Sequence, residues 1–182
     1  MNRIKTVILT ALAAMLPLTV QAQNFSVSTN AVDYACLGTV NLDASYAPGT
    51  HWTIGAGVKY NSYTIRQRAV SLNARYWPWH KYSGWWIAGS MKYQEYNTGG
   101  YRTFRFDAGE ETSEGDRMGG GLAAGYSYML GNHFNLDFGL GLWAGYDIYR
   151  TYVCPKCGAV SKTGQKFFVL PSDFTIGVAY LF

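Results

Sequence analysis

Charge is scarce in this sequence. Only 14% of its 182 residues are Asp, Glu, Lys or Arg, where a soluble domain carries about 25%. The formal net charge of +4 includes Arg3 and Lys5 of an N-terminal segment expected to be removed. No basic stripe remains, which argues against a nucleic-acid partner. Cysteine is nearly absent, with 3 residues, so this is no disulfide-stapled scaffold. Long apolar runs are missing as well. After residue 22 none approaches the ~20 residues that a membrane-spanning helix needs, and a helical membrane protein is excluded.

What is abundant points elsewhere. Aromatics make up 16% of the chain, with 15 Tyr and 6 Trp, and there are 21 Gly. Many aromatics, many glycines and few charges suit a β-barrel with one face in lipid. The length suits one domain.

The N-terminus reads as a secretory signal peptide. Arg3 and Lys5 form a charged start, Val7 to Val20 an apolar stretch, and Val20-Gln21-Ala22 a small-residue cleavage site. Residues 1–22 are therefore expected to be a signal peptide and 23–182 the mature barrel domain. No Cys stands at the cleavage point, so a lipoprotein is not expected.

From residue 24 onward apolar and polar residues alternate with period two, the signature of strands with two unlike faces. In the run from His51 to Ser62, Trp52, Ile54, Ala56, Val58 and Tyr60 share one face, and Thr53, Gly55, Gly57, Lys59 and Asn61 the other. Similar runs predict eight strands, at about 24–32, 37–47, 51–64, 68–78, 84–97, 116–129, 133–151 and 166–182. The connections at Ala47–Thr50, Pro78–Ser83 and Leu130–Asn132 are short. Segments 98–115 and 152–165 are long and polar. This alternation of short and long is the pattern of periplasmic turns and extracellular loops. The expected fold is an all-β, eight-stranded antiparallel transmembrane barrel, its first strand closing on its last.

Aromatics divide between the two rims. Trp52, Trp77, Trp79, Trp85, Tyr46, Tyr128, Phe134 and Tyr180 fall near the short turns. Tyr60, Tyr63, Tyr93, Tyr146 and Phe168 fall near the loops. Phe182 ends an alternating strand, as an assembly signal for the outer-membrane barrel machinery does.

Several segments carry a resemblance. Ser28 to Tyr34 followed by Val40 to Asp43, Ala74-Arg75-Tyr76-Trp77, the Gly119–Gly125 run into Tyr126 and Leu130-Gly131, Tyr152 to Gly158, and the closing Gly177 to Phe182 together resemble an outer-membrane family, domain of unknown function three-five-seven-five. The resemblance covers nearly the whole mature chain. It implies an outer-membrane barrel of gut and oral Gram-negative bacteria, in some cases encoded beside fimbrial genes, and it implies no activity. Ala31-Val32 departs from the paired leucines common in that family.

Few residues suggest chemistry. Cys154 and Cys157, two residues apart and followed by Gly158, form either a disulfide, a pair of free thiols, or with Cys36 a three-thiolate metal site. Acidic residues Asp107, Glu110, Glu111, Glu114 and Asp116 read as a solvated loop, with a divalent-cation site near the lipopolysaccharide head groups as the alternative, and no calcium-loop spacing is present. The inward parity carries Asp43, Asp137 and Asp173 against Lys59, Lys92 and Arg75, expected as a lumenal ion-pair network, with a catalytic or conductive role as the alternative. Trp143, among Gly139, Gly141 and Gly145, is expected to fill the lumen, with ligand stacking as the alternative.

The function expected is non-enzymatic: an integral outer-membrane barrel with a structural or anchoring role, or one assisting surface assembly, fimbrial assembly included. The alternatives are a metal- or ligand-binding barrel using the Cys loop, a narrow pore, and a lipid-modifying enzyme. The last is disfavoured because His51, His80 and His133 all fall at periplasmic turns, where no outer-leaflet nucleophile can use them. No cofactor is expected. The expected partners are outer-membrane lipids, lipopolysaccharide, the barrel assembly machinery and surface or fimbrial proteins.

Overall fold

The computed structural model describes residues 23–62, 66–97, 112–153, 158–171 and 174–182. Its elements are β1 (Phe25–Asn30), α1 (Ala31–Leu37), β2 (Val40–Tyr46), β3 (Trp52–Asn61), β4 (Arg66–Tyr76), β5 (Gly84–Asn97), β6 (Thr112–Leu130), β7 (Phe134–Tyr152), β8 (Val160–Pro171) and β9 (Thr175–Leu181). Every pairing is antiparallel. β7 pairs with β6 on one side. On the other it pairs with β9 along its first half and with β8 along its second. β8 and β9 thus share one position in the wall, and the circuit closes through β9 as an eight-stranded barrel.

The register fixes the barrel's shape. From Ser28, paired residues run through Asp43, Gly57, Ser71, Lys92 and Gly119 to Gly145 on β7. In the other direction they run through Ala179 to Asn135. The circuit therefore slips ten residues along β7. For eight strands such a stagger goes with a strand tilt of about 35–45° and an interior only wide enough for side chains.

The polarity of this barrel is inverted relative to a soluble protein. Leu122, Met91, Leu72 and Leu140 point outward and are 62–75% exposed. Inside, Asn41, Thr53, Asn61, Ser127, Asn135 and Asp147 are at most 2% exposed. Alternation in the sequence produces this arrangement directly, because successive strand side chains leave opposite faces.

β6 begins at Thr112 and β8 at Val160, inside the segments 98–115 and 152–165 expected as loops, so Glu114 lies in a strand. Three further features differ from the expectations. β1 stops at Asn30 and the chain turns into α1, where a strand over 24–32 and a loop were expected. Asn30 is the reason. Its side chain caps the helix by accepting from Val32 N at 3.2 Å, and Gly38 closes the helix at φ 63°, a left-handed conformation that favours glycine. Second, the expected continuous strand 166–182 is broken. Between Leu142 and Gly139 the β7 partner moves three residues while the other strand moves four, from Pro171 to Thr175. That extra residue reverses the parity, so Phe167 faces outward and Phe168, expected in the loop-end girdle, faces the lumen and is buried. Third, Trp77 was expected in the short-turn girdle. It follows outward-facing Tyr76 by one residue, so it points inward and is 1% exposed.

Candidate functional site: the barrel lumen

The end of the lumen beside the short turns is sealed. Trp77, Tyr82, Trp86, Leu181 and Ala47 pack into one buried cluster. The indole of Trp77 donates to Thr53 Oγ1 at 3.1 Å. Tyr82, in the turn between β4 and β5, has φ 63°, and its hydroxyl donates to the Asn24 carbonyl at 3.2 Å. Burial pushes the Tyr82 phenol up from its ordinary pKa. Asn135 Nδ2 donates to the Tyr82 carbonyl and holds the turn over the barrel mouth.

Above this floor lies an ion-paired layer. Arg75 meets Asp137 at 3.0 Å and lies 4.5 Å from the centre of the Trp86 ring, a cation–π contact. Ser127 Oγ donates to the second oxygen of Asp137. The Trp86 ring spreads across Gly125 and Gly139 on β6 and β7. A Cβ on Gly139 would meet the ring at 2.7 Å. The glycines that make room for an indole are thus 125 and 139, and the indole is Trp86.

A cavity of about 270 Å³ follows, lined among others by Asp43, Lys59, Lys92, Arg75, Asp137 and Trp143. Five of the six residues expected in the lumenal network therefore surround one space. Their pairing differs from a simple Asp–Lys lattice. Lys59 bonds to Asp33 of α1 at 2.7 Å, and Asp33 also accepts from Asn41 Nδ2 at 2.9 Å. The Asp43 carboxylate occupies the space over Gly57, where a side chain would collide with it. Asp173 lies outside the described residues. Trp143 is 4% exposed and packs edge-on against Phe168, ring centres 4.7 Å apart. It lies on the inward face and lines the cavity, with Phe168 as an unforeseen partner.

The outer cluster was not singled out in the sequence. Asp147 is fully buried and accepts from Arg117 Nε at 3.1 Å and from the Tyr96 hydroxyl at 2.9 Å. Lys166 stands 3.6 Å away. Arg117 in turn lies 4.1 Å from the Tyr96 ring centre. The signal was present: Asp147 sits on the inward parity of β7, and Arg117 is its paired residue on β6.

His51 Nδ1 is 2.9 Å from the Trp77 carbonyl and His133 Nδ1 is 3.0 Å from the Leu181 carbonyl, both at the floor. The cavity wall carries as many cations as carboxylates: Lys59, Arg75 and Lys92 against Asp33, Asp43 and Asp137. Cys36 falls in α1, while Cys154 and Cys157 lie outside the described residues. Phe182 N donates to the Phe25 carbonyl at 2.9 Å, joining the chain's last residue to the first strand.

The fold and lumen define a class: a closed eight-stranded antiparallel barrel, apolar outside, polar inside and shut at one end. The chain belongs to the family described as protein of unknown function, DUF3575, whose model matches residues 7–182. None of the curated proteins matches the chain.

Proposed function

We propose that the chain is an integral outer-membrane barrel, exported with removal of residues 1–22, whose role is structural or anchoring and not catalytic. One observation carries this reading. The outward face is a belt of exposed Leu, Ile, Val, Met and aromatic side chains on every wall strand, whereas the polar side chains are inside. A monomer in water rarely exposes more than a few hundred Å² of contiguous apolar surface. A bilayer is the solvent that suits such a belt. The sealed floor and the balanced cavity charges favour a support over a conduit. Anchoring is directed at surface structures, fimbrial assemblies included. The partners are outer-membrane lipids, lipopolysaccharide and the barrel assembly machinery, which reads Phe182.

Fractionation of envelopes tests the reading. The protein is expected in the outer membrane, and unheated samples are expected to migrate anomalously in detergent gels. Deletion of Phe182 is expected to lower the assembled fraction. Recovery as a folded monomer from the soluble periplasm would overturn the proposal.

A further inference from the structure

β8 has one neighbour. Among the described residues it pairs with β7 alone. β1, which should flank its other side, ends at Asn30 and pairs with β9 and β2 but not with β8. Among the described residues the outer half of the barrel wall therefore presents an unpaired strand edge twelve residues long, Val160–Pro171. The burial pattern agrees. On β7 the faces alternate between buried and exposed. On β8 only Phe168 is buried and only Gly164 half-buried. Even inward-facing Lys166 has a side chain 56% exposed. Pro171, which lacks an N–H, sits at the end of this edge, a position where strand prolines are tolerated.

The edge lies at membrane depth. Gln165 to Pro171 pair with Ile148 to Leu142, and the outward side chains of that stretch, Leu142, Tyr146 and Ile148, belong to the apolar belt. An open sheet edge does not survive in hydrocarbon, because each unpaired N–H and C=O costs several kcal/mol there. Resting on the outer-membrane reading above, we infer that β8 is a docking edge that takes an extended segment of another polypeptide by strand addition.

The occupant's chemistry follows from what it must match. Main-chain hydrogen bonds supply the attachment and alternate side chains the selection. Outward Phe167 and Val169 call for apolar residues on its lipid side. Inward Lys162 and Lys166, with no Asp or Glu anywhere on β8, call for acidic residues at alternate positions on its lumenal side. The local charge supports this. Asp147 already has Arg117 as well as Lys166 beside it. A second copy of this chain is a poor occupant, since two antiparallel β8 edges would set lysines against lysines. Asn24 and Phe182, which bond to Ala47 and Phe25, both lie at the floor, away from this edge.

A proline scan with photocrosslinking tests the inference in native envelopes. Thr163, Gly164, Gln165, Lys166, Phe168 and Val169 are replaced by proline one at a time, and a benzophenone side chain is placed at Phe167 in each background. Proline at one parity removes N–H groups that bond to β7 and is expected to lower barrel stability. At the other parity the barrel is expected to keep its heat-resistant migration, while crosslinking to the partner falls at least about fivefold, the equivalent of a lost hydrogen bond. Peptide mapping is expected to place the crosslink on an extended stretch of one polypeptide with alternating acidic residues, and Lys162→Glu is expected to weaken it. Adducts to lipid with none to another polypeptide, or adducts to a second copy or to residues 98–111 of the same chain, in a barrel still assembled in the outer membrane, would overturn the inference alone. Recovery in the soluble fraction would overturn the membrane reading, and with it the need to cover the edge.

Discussion

Asn41 takes the place of a missing strand residue beside Asn30. Its side-chain oxygen accepts from Asn30 N at 2.7 Å, and its amide nitrogen donates to the Asn30 carbonyl at 2.9 Å. The Asn30 side chain does the same on the opposite side, accepting from Ile176 N at 3.0 Å and donating to the Phe174 carbonyl at 3.1 Å. Two amide side chains thus finish the ladders on both flanks of β1 where its backbone leaves for α1. Asn41→Ala strands both main-chain groups of a residue that is 8% exposed. An unsatisfied buried group costs about 1–3 kcal/mol. The unfolding midpoint in urea and detergent is expected to fall accordingly, and Asn132→Ala, in an exposed turn, is expected to leave it unchanged.

The two faces should differ in tolerance. Leu140 is outward and 62% exposed, near the middle of the belt on β7. Leu140→Arg is expected to cost about 2–4 kcal/mol in a bilayer. Asn73→Gln, on the inward face, is expected to be milder. Unfolding from vesicles measures both, and equal losses would contradict the assignment of faces.

Much of this fold can be read from alternation, and the places where reading fails share one cause. Parity is a local signal that carries forward only while the strand is unbroken. Within β3, β5 and β7 it placed Lys59, Lys92, Asp137 and Trp143 correctly. It failed at Phe168, because the extra residue between β8 and β9 leaves no mark in the hydrophobic pattern. Trp77 was misread for a different reason. Its neighbours Trp79 and Trp85 suggested a girdle, and composition outweighed a parity that already turned it inward. The pairing of Lys59 with Asp33 was invisible, since α1 occupies too few residues to show a helical period. Asp147 could have been found, because β7 parity and its register with Arg117 both point inside.

Trp86 and Gly139 should behave as a coupled pair. A Cβ at Gly139 meets only the Trp86 ring at close range, at 2.7 and 2.8 Å, with the Ala124 carbonyl at 3.6 Å. Gly139→Ala therefore forces the indole off the wall and toward Arg75. Overpacking of this kind costs about 1–3 kcal/mol. Trp86→Leu leaves room for the new methyl, so the double variant is expected to lose less than the sum of the two single losses. Additive losses would mean that the ring has another place to rest.

Conduction is governed by the floor. Eight strands leave an interior about filled by side chains, and the described lumen holds a cavity of about 270 Å³ above a closed end. Trp77, Trp86, Tyr82 and Leu181 close that end, each at most 5% exposed. Any ion path must cross them, because the wall strands around them are fully paired from β1 to β7 and back through β9. The wild-type protein in planar bilayers is therefore expected to give no stable current. Trp77→Ala removes the most buried ring and its bond to Thr53, but leaves Tyr82 and Trp86, whose ring centres lie 5.9 and 6.4 Å from that of Trp77. That variant is expected to show brief openings only. Combining it with Tyr82→Ala also frees the turn that Tyr82 ties to Asn24, and discrete current steps are expected. The charges lining the cavity balance, so those steps should show little preference between cations and anions. Large steady currents from the unaltered chain would contradict the sealed floor and turn the reading from an anchor toward a pore.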